Sequence, residues 1–335
     1  MRYTHIIYIA ILAVIFALPT RMSGQTDAQM TQYFALPTYY NPAAVGDTDY
    51  LRIRAGARLQ WVGIDNAPTT FLATGDMPFK FLNKKFGVGL LMQQESLGLY
   101  KNLTVGAQLG YKINLFKGVL TAGVQVGLIN ETFKGSEVYI PDDDDYHQGT
   151  DEAIPMNDVA GNALDLGIGA YYTHRYFWAG LSMTHVNSPT VTFTAEGSTG
   201  GSTGTEGESA KNYEFQASRT LYFMGGSNIA VKNTLFEVIP SFLVKSDFTF
   251  TGFDVTCRVR YNKFLTAGIG YRYNDAVSAM LSAEIKGFFI GYSYDYPTTE
   301  IAKASSGSHE IVAGYRLKLD FSEKNRNKHK SIRIM

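Results

Sequence analysis

Arg52, Arg54 and Arg58 share one parity of the stretch LRIRAGARLQW, residues 51–61. Side chains alternate across a strand, so these three guanidinium groups would face the same way. Together they could hold carboxylates, phosphates or an acidic protein surface. Arg316 and Lys318 have the same parity in the last strand-like stretch of the chain. If the first and last strands pair, all five form a basic seam on one wall. Antiparallel pairing would bring Lys318 near Arg52 and Glu310 towards Arg58. Such a seam could attract an anionic solute or protein, or pair internally with Asp165, Asp254 and Glu284. Internal pairing is favoured, because enclosed charges need partners.

Other reactive residue types give weaker signals. Asp142 to Asp145, with Asp151 and Glu152, could hold calcium, but they lack the alternating ligands of an EF-hand loop, and a solvated acidic loop is favoured. His5, His147, His174, His185, His309 and His329 include no pair at zinc spacing. No HExxH, Walker loop or GxSxG elbow is present. Ser308 and His309 adjoin on one strand and therefore point to opposite faces, so they form no dyad. The single cysteine, Cys257, lies on an apolar parity between Val255 and Val259 and reads as an inert thiol. The expectation is a non-enzymatic protein with no cofactor and no metal.

The elements that would carry the arginines are legible in the alternation. Opposite them, Leu51, Ile53, Ala55, Ala57, Leu59 and Trp61 form a wholly apolar face. A strand of about ten residues, apolar on one side and polar on the other, suits a membrane-spanning barrel. Fourteen such segments are read at 50–61, 69–77, 86–95, 102–114, 118–132, 162–173, 176–185, 217–231, 235–246, 250–261, 264–273, 276–286, 287–296 and 308–319. The longest connections, 133–161, 186–216 and 297–307, then all fall at one end, as barrels with long external loops and short periplasmic turns require. The 33 glycines recur inside the strands, where curved walls or crowded interiors tolerate them.

Arg2 and His5, the apolar run 6–18 and the small residues before Gln25 read as a signal peptide, residues 1–24. Residues 25–49 form a lead-in or plug, 50–321 the barrel and 322–335 a basic tail. Removing the signal takes Arg2 and Arg21, so 30 basic residues become 28 against 30 acidic ones, a net charge of about −2. Nucleic acid is therefore not the expected partner. Lys324, Arg326, Lys328, Lys330 and Arg333 in the tail could dock on a periplasmic partner or anionic lipid, though an unstructured solubilising tail is slightly favoured. The tract 197–209 (GSTGGSTGTEGES) is expected to lack a packed structure.

The segment DAQMTQYFALPTYYNPAAVG, residues 27–46, resembles the opening of the PorP/SprF family of Bacteroidetes type IX secretion barrels. Asp27, Gln29, Gln32, Tyr33, Tyr40, Asn41, Pro42, Ala43 and Gly46 match the family's D-P-Q-F-S-Q-Y-…-N-P-A-…-G pattern. The likeness continues in Arg58–Trp61, Pro68–Thr70, Gly167–Gly169, Gly180–Ser182 with His185, Pro240–Ser241, and Ser308–Ile311 before Gly314–Tyr315. Ala28, where the family usually has Pro, and the insert near 197–209 depart from it. Because Asn41–Pro42 favours a turn and Pro42 cannot donate to a ladder, the opening suits an extended plug or brace rather than a wall strand.

The resemblance implies a non-enzymatic outer-membrane component of type IX secretion or gliding motility, with both termini in the periplasm. Its implied partners are outer-membrane lipid, a periplasmic lipoprotein ring complex, a peptidoglycan-binding lipoprotein, and a secreted adhesin or its C-terminal domain. The competing reading is a fatty-acid-channel-like transporter, which an apolar lumen pocket beneath the plug would favour.

Overall fold

A computed structural model describes residues 27–138, 155, 157–195 and 211–319. The signal peptide, the acidic run 142–152, the tract 197–209 and the basic tail beyond Asp320 lie outside the described residues. Seventeen strands follow in chain order. They are β1 (Tyr50–Leu59), β2 (Thr69–Phe81), β3 (Lys84–Leu97), β4 (Tyr100–Leu115), β5 (Gly118–Lys134), β6 (Asp158–Thr173), β7 (Phe177–Thr184), β8 (Thr190–Ala195), β9 (Lys211–Gln216), β10 (Thr220–Ser227), β11 (Ile229–Ala230), β12 (Phe236–Ser246), β13 (Thr251–Tyr261), β14 (Leu265–Arg272), β15 (Ala276–Ile285), β16 (Phe288–Pro297) and β17 (Ser308–Lys318).

Fourteen of these close into one antiparallel barrel. β1 pairs with β17 on one side and β2 on the other, and β10 bridges β7 to β12. Each of the fourteen segments read from alternation is a wall strand. β11 is an additional short strand edging β12. The sequence reading missed the hairpin β8–β9 inside the connection 186–216. Its Val191 and Phe193 pack on Ile129 and Val159, so it covers the ends of β5 and β6.

Alternation sets the two faces of the wall. In β4, Thr104, Gly106, Gln108 and Gly110 turn inward and are buried, while Val105, Leu109 and Tyr111 face outward and are exposed. In a soluble protein that outer band would hold a large apolar surface in water, whereas lipid accepts it without cost. An outward row of aromatic pairs, Phe79–Phe86–Tyr111, Phe236–Tyr261 and Phe288–Tyr315, runs near one end. Aromatic rings favour the membrane–water interface, and such girdles edge barrel walls.

The two ends differ in their connections. At the aromatic end the links are 82–83, 116–117, 174–176, 228–235, 262–264 and 286–287. Both residues of the two-residue turns Leu82–Asn83, Phe116–Lys117 and Lys286–Gly287 have positive φ, and so do Asn262 and Lys263. This is the left-handed geometry that lets a tight hairpin follow strand twist. At the other end lie the long links 135–157, 185–219 and 298–307.

Candidate functional site

Residues 27–46 fill the lumen. The segment is not extended, as the sequence suggested. It is coiled into three short turns: η1 (Tyr33–Ala35) and η2 (Pro42–Ala44), both 3₁₀, and between them one α-helical turn, α1 (Pro37–Tyr40). Pro37 and Pro42 each begin a turn, where a missing N–H costs nothing. Met30, Tyr33, Leu36, Tyr39, Tyr40, Ala43 and Ala44 form an apolar core with wall residues Leu72, Leu91, Tyr171, Tyr222, Met224, Leu243 and Val312. The apolar core of this protein is thus the inside of its barrel.

Asp27 sits at the end with the long links, beside the last residues of β7 and β12. From there the chain descends, and Gly46 reaches the tight-turn end beside Pro78. The described chain therefore begins at the opposite end from the one where β1 starts.

Three polar clusters hold the plug. At the top, the imidazole of His185 spans two carboxylates, with Nε2 2.9 Å from Asp27 Oδ1 and Nδ1 2.8 Å from Asp165 Oδ1. Asp27 also accepts from Tyr222 Oη at 2.6 Å, and its backbone carbonyl accepts from Lys245 Nζ at 2.6 Å. Burial opposes charge on both partners. Even so, His185 and Lys245 hold the Asp27 carboxyl below its ordinary range, and the two carboxylates raise the His185 imidazolium to about 10. His185 keeps a positive φ of 53°, a strained conformation that these bonds over-determine.

The second cluster centres on Thr31. Its backbone N–H donates to Glu310 Oε2 at 2.6 Å, and that of Gln32 donates to Glu310 Oε1 at 2.8 Å. Arg58 pairs with Asp295 at 2.8 Å and Glu310 at 3.3 Å, while Arg272 pairs with Asp254 at 2.9 Å. Gln29 donates to Asp254 at 2.5 Å, and the Arg258 guanidinium lies 3.4 Å from the ring centre of plug residue Phe34.

The third cluster closes the lower end. Asp76 accepts from Gly46 N at 2.7 Å and from Arg52 Nε and Nη2 at 3.0 and 2.8 Å. Arg52 also meets Asp47 at 2.6 Å, and Lys112 donates to the Gly46 carbonyl.

Between the clusters, Asn41 caps the Pro42 turn through its Oδ1, and its Nδ2 donates to Ala170 O and Leu181 O. Wall glycines make the fit possible. A Cβ at Gly123 would lie 2.4 Å from the Ala43 backbone, and one at Gly169 would lie 2.2 Å from Asn41 Oδ1.

The five basic residues of the expected seam lie on adjacent strands, each with its own surroundings. Arg52 and Arg58 are paired as above, and Arg316 pairs with Glu284. Arg54 stacks 4.3 Å from the Phe289 ring centre. Lys318 is exposed and lies opposite Tyr50, while Arg316 lies opposite Arg52, a two-residue offset from the expected register. Glu310 lies opposite Arg58, as read. Of the carboxylates named as candidate partners, only Glu284 meets the seam. Asp165 turns to His185 and Asp254 to Arg272.

Sequence reasoning did not find Asp76, Asp295, Arg272, Lys245 and Tyr222 as plug contacts. Their inward parity in the strands was the available signal. It gave direction but no partner.

Several of the wall residues that carried the resemblance, scattered from 169 to 310, meet at this plug. Ser182 donates to Tyr40 O, Ser241 accepts from Tyr33 Oη, Gly169 faces Asn41, and His185 and Glu310 anchor Asp27, Thr31 and Gln32. The family model described as type IX secretion system membrane protein PorP/SprF matches residues 22–315. The chain belongs to the PorP/SprF family.

No curated protein matches. Among solved structures, the Ralstonia pickettii toluene transporter TbuX is similar in fold, with a TM-score of 0.50 at 12% identity over 84% of this chain and 93% of that one. A Pseudomonas aeruginosa FadL homologue also aligns, with a TM-score of 0.48 at 10% identity over 87% of this chain and 95% of that one. At 12% identity the likeness to the toluene transporter speaks to the outer-membrane barrel fold alone.

Proposed function

We propose that this PorP/SprF barrel is a non-enzymatic outer-membrane anchor of the type IX secretion machinery. In this reading the tight-turn end faces the periplasm, where it meets a lipoprotein ring complex and a peptidoglycan-binding lipoprotein. A secreted adhesin, or its C-terminal domain, is a further partner in members serving a single substrate or gliding.

The observation that carries the reading is the filled lumen. A conduit needs a path, yet the Asp27–Gly46 segment is bonded to the wall at both ends and packed in between. The lumen cavity beside Asp27 and His185 measures about 20 Å³, room for about one water. A small-molecule site needs several hundred cubic ångströms and an apolar lining. This weighs against the transporter reading.

The test is deletion of the gene in its host. Loss of proteins from the culture medium or cell surface, restored by the intact gene, is the expected outcome. Intact secretion with impaired uptake of one solute would replace this reading with the transporter.

A further inference from the structure

The tight-turn end carries a ring of exposed positive charge. Lys80, Lys84 and Lys85 flank the 82–83 turn, and the other five connections contain Lys117, Arg175, Lys232, Lys263 and Lys286. All eight side chains are exposed. None of the six connections contains Asp or Glu. Glu237, Glu284 and Asp47, the nearby acids on the wall and plug, are taken up by Arg260, Arg316 and Arg52. Among the described residues, no carboxylate forms an ion pair with the eight, although Asp49 is exposed at the same end. The opposite end has the reverse bias, with Asp65, Glu137, Asp247, Asp275 and Glu300 in its links.

A second observation is independent of charge. Leu82 and Phe116 are the most exposed large apolar side chains here, at 79% and 83%, and both occupy left-handed turn positions with φ of 47° and 46°. Asn, Asp or Gly would suit those positions better and cost nothing in solvation. Strain accepted to display an apolar side chain points to a surface in use.

The Phe116 turn is firmly built. Tyr172 Oη donates to the carbonyls of Leu115 and Phe116, both at 3.1 Å, and the ring of Tyr172 packs near His174 and Phe177. Beside it opens a cleft of about 530 Å³, lined by Asn114, Phe116, Lys117, Thr173, His174 and Arg175.

Phe116 lies five residues beyond Tyr111 of the aromatic row, about 16 Å along the strand and about 12 Å along the axis of a tilted barrel. Outward Ile113 and Leu115 carry the apolar band beyond Tyr111, and the exposed Lys117 and Arg175 beside Phe116 place the turn on the water side of that band.

We propose that this face, centred on the cleft between the 116–117 and 174–176 turns, docks an acidic polypeptide segment and seats one of its apolar side chains against Phe116. The basic ring attracts and orients the segment, and the cleft supplies register. The proposal rests on the periplasmic placement of this end given above. It adds to that reading the surface involved and the chemistry of what binds there.

The test uses the full barrel in detergent and a fluorescein-labelled twelve-residue peptide of Asp and Glu with one central Leu. The expected result is saturable binding that weakens with salt and is absent for a neutral peptide of equal length. Substituting Lys117→Glu, Arg175→Glu, Lys263→Glu and Lys286→Glu together should weaken binding about tenfold or more. Phe116→Asn, which suits the left-handed turn, should weaken it several-fold without flattening the salt dependence and without lowering the melting temperature. Equal affinity in both variants, or binding to phosphatidylglycerol nanodiscs with none to the peptide, would overturn the proposal. Its failure is separable from that of the anchor reading: a barrel that ignores the peptide while its gene is still needed for secretion loses only this surface.

Discussion

Charge is handled in opposite ways by the lumen and by the tight-turn face. Inside, Arg58, Arg272 and Arg52 each touch two or more carboxylates, and His185 lies between two more. On the rim, Lys117, Arg175, Lys263 and Lys286 stand in solvent without a counter-ion among the described residues. The cost of ions explains the contrast. A buried charge without a partner costs several kcal/mol, and most lumen charges are answered, by carboxylates at Arg52, Arg58 and Arg272 and by rings at Arg54 and Arg258. An exposed charge costs almost nothing and is free to meet another molecule. Inner charges thus hold the plug, and outer ones are available for recognition.

The sharpest way to break this contrast is to strand an inner charge. Arg58→Ala leaves Glu310 buried without a cation and Asp295 with Arg272 alone. It should lower stability by about 3–5 kcal/mol, read as a large fall in the melting temperature of the detergent-solubilised barrel. A melting temperature within a degree of wild type would mean that the cluster does not hold the plug.

A steric break comes next. Gly123→Val places atoms where the Ala43 backbone lies, 2.4 Å from the added Cβ. Overpacking of this kind costs about 1–3 kcal/mol, and displacing the plug is one way to relieve it while the ladder on both sides stays intact. The expected outcome is lost stability together with ionic conductance in planar bilayers above that of the wild-type barrel. A variant that is destabilised yet still sealed would show that the wall yields rather than the plug.

Much of the wall was legible in sequence, because alternation is a local property and each strand declares its own faces. LRIRAGARLQW assigns Arg58 to the inside without help from any other residue. The partners of that arginine are another matter. Asp295 and Glu310 lie 237 and 252 positions away, and only barrel closure brings them near. Nor could parity say what fills the lumen. Asn41–Pro42 indicated turns, but the coiling of residues 27–46 depends on wall glycines such as Gly123 and Gly169, whose spacing resembles that of any other strand glycine. The hairpin β8–β9 was missed for a related reason. Its strands are six residues each and flank a Gly/Ser tract that dominates the composition of the region.

The upper cluster allows a test by pH. His185 has its pKa raised to about 10 from an ordinary value near 6.5, so its contribution is complete below about 6.5 and is lost as pH rises through 10. Asp27 is shifted the other way, so its contribution is present above its ordinary value and is lost only in strong acid. The melting temperature should therefore be level below about pH 6.5 and fall between about 6.5 and about 10. Asp27→Asn should lower stability by about 1–2 kcal/mol at neutral pH and flatten the alkaline limb. An unchanged alkaline limb in Asp27→Asn would assign that limb to other groups.

The smallest expected effect lies on the rim, and its smallness is what makes it informative. Lys263→Ala and Lys286→Ala remove exposed charges that touch no carboxylate among the described residues, so stability should stay within about 0.5 kcal/mol of wild type. Removing one of several like charges on the same face also relieves repulsion, so a slight rise in melting temperature is expected at low salt, fading as salt screens the ring. If either change instead costs as much as Asp27→Asn, the rim is part of the structure. The division between charges that hold the plug and charges left for a partner would then fail at the end of the barrel where the plug joins β1.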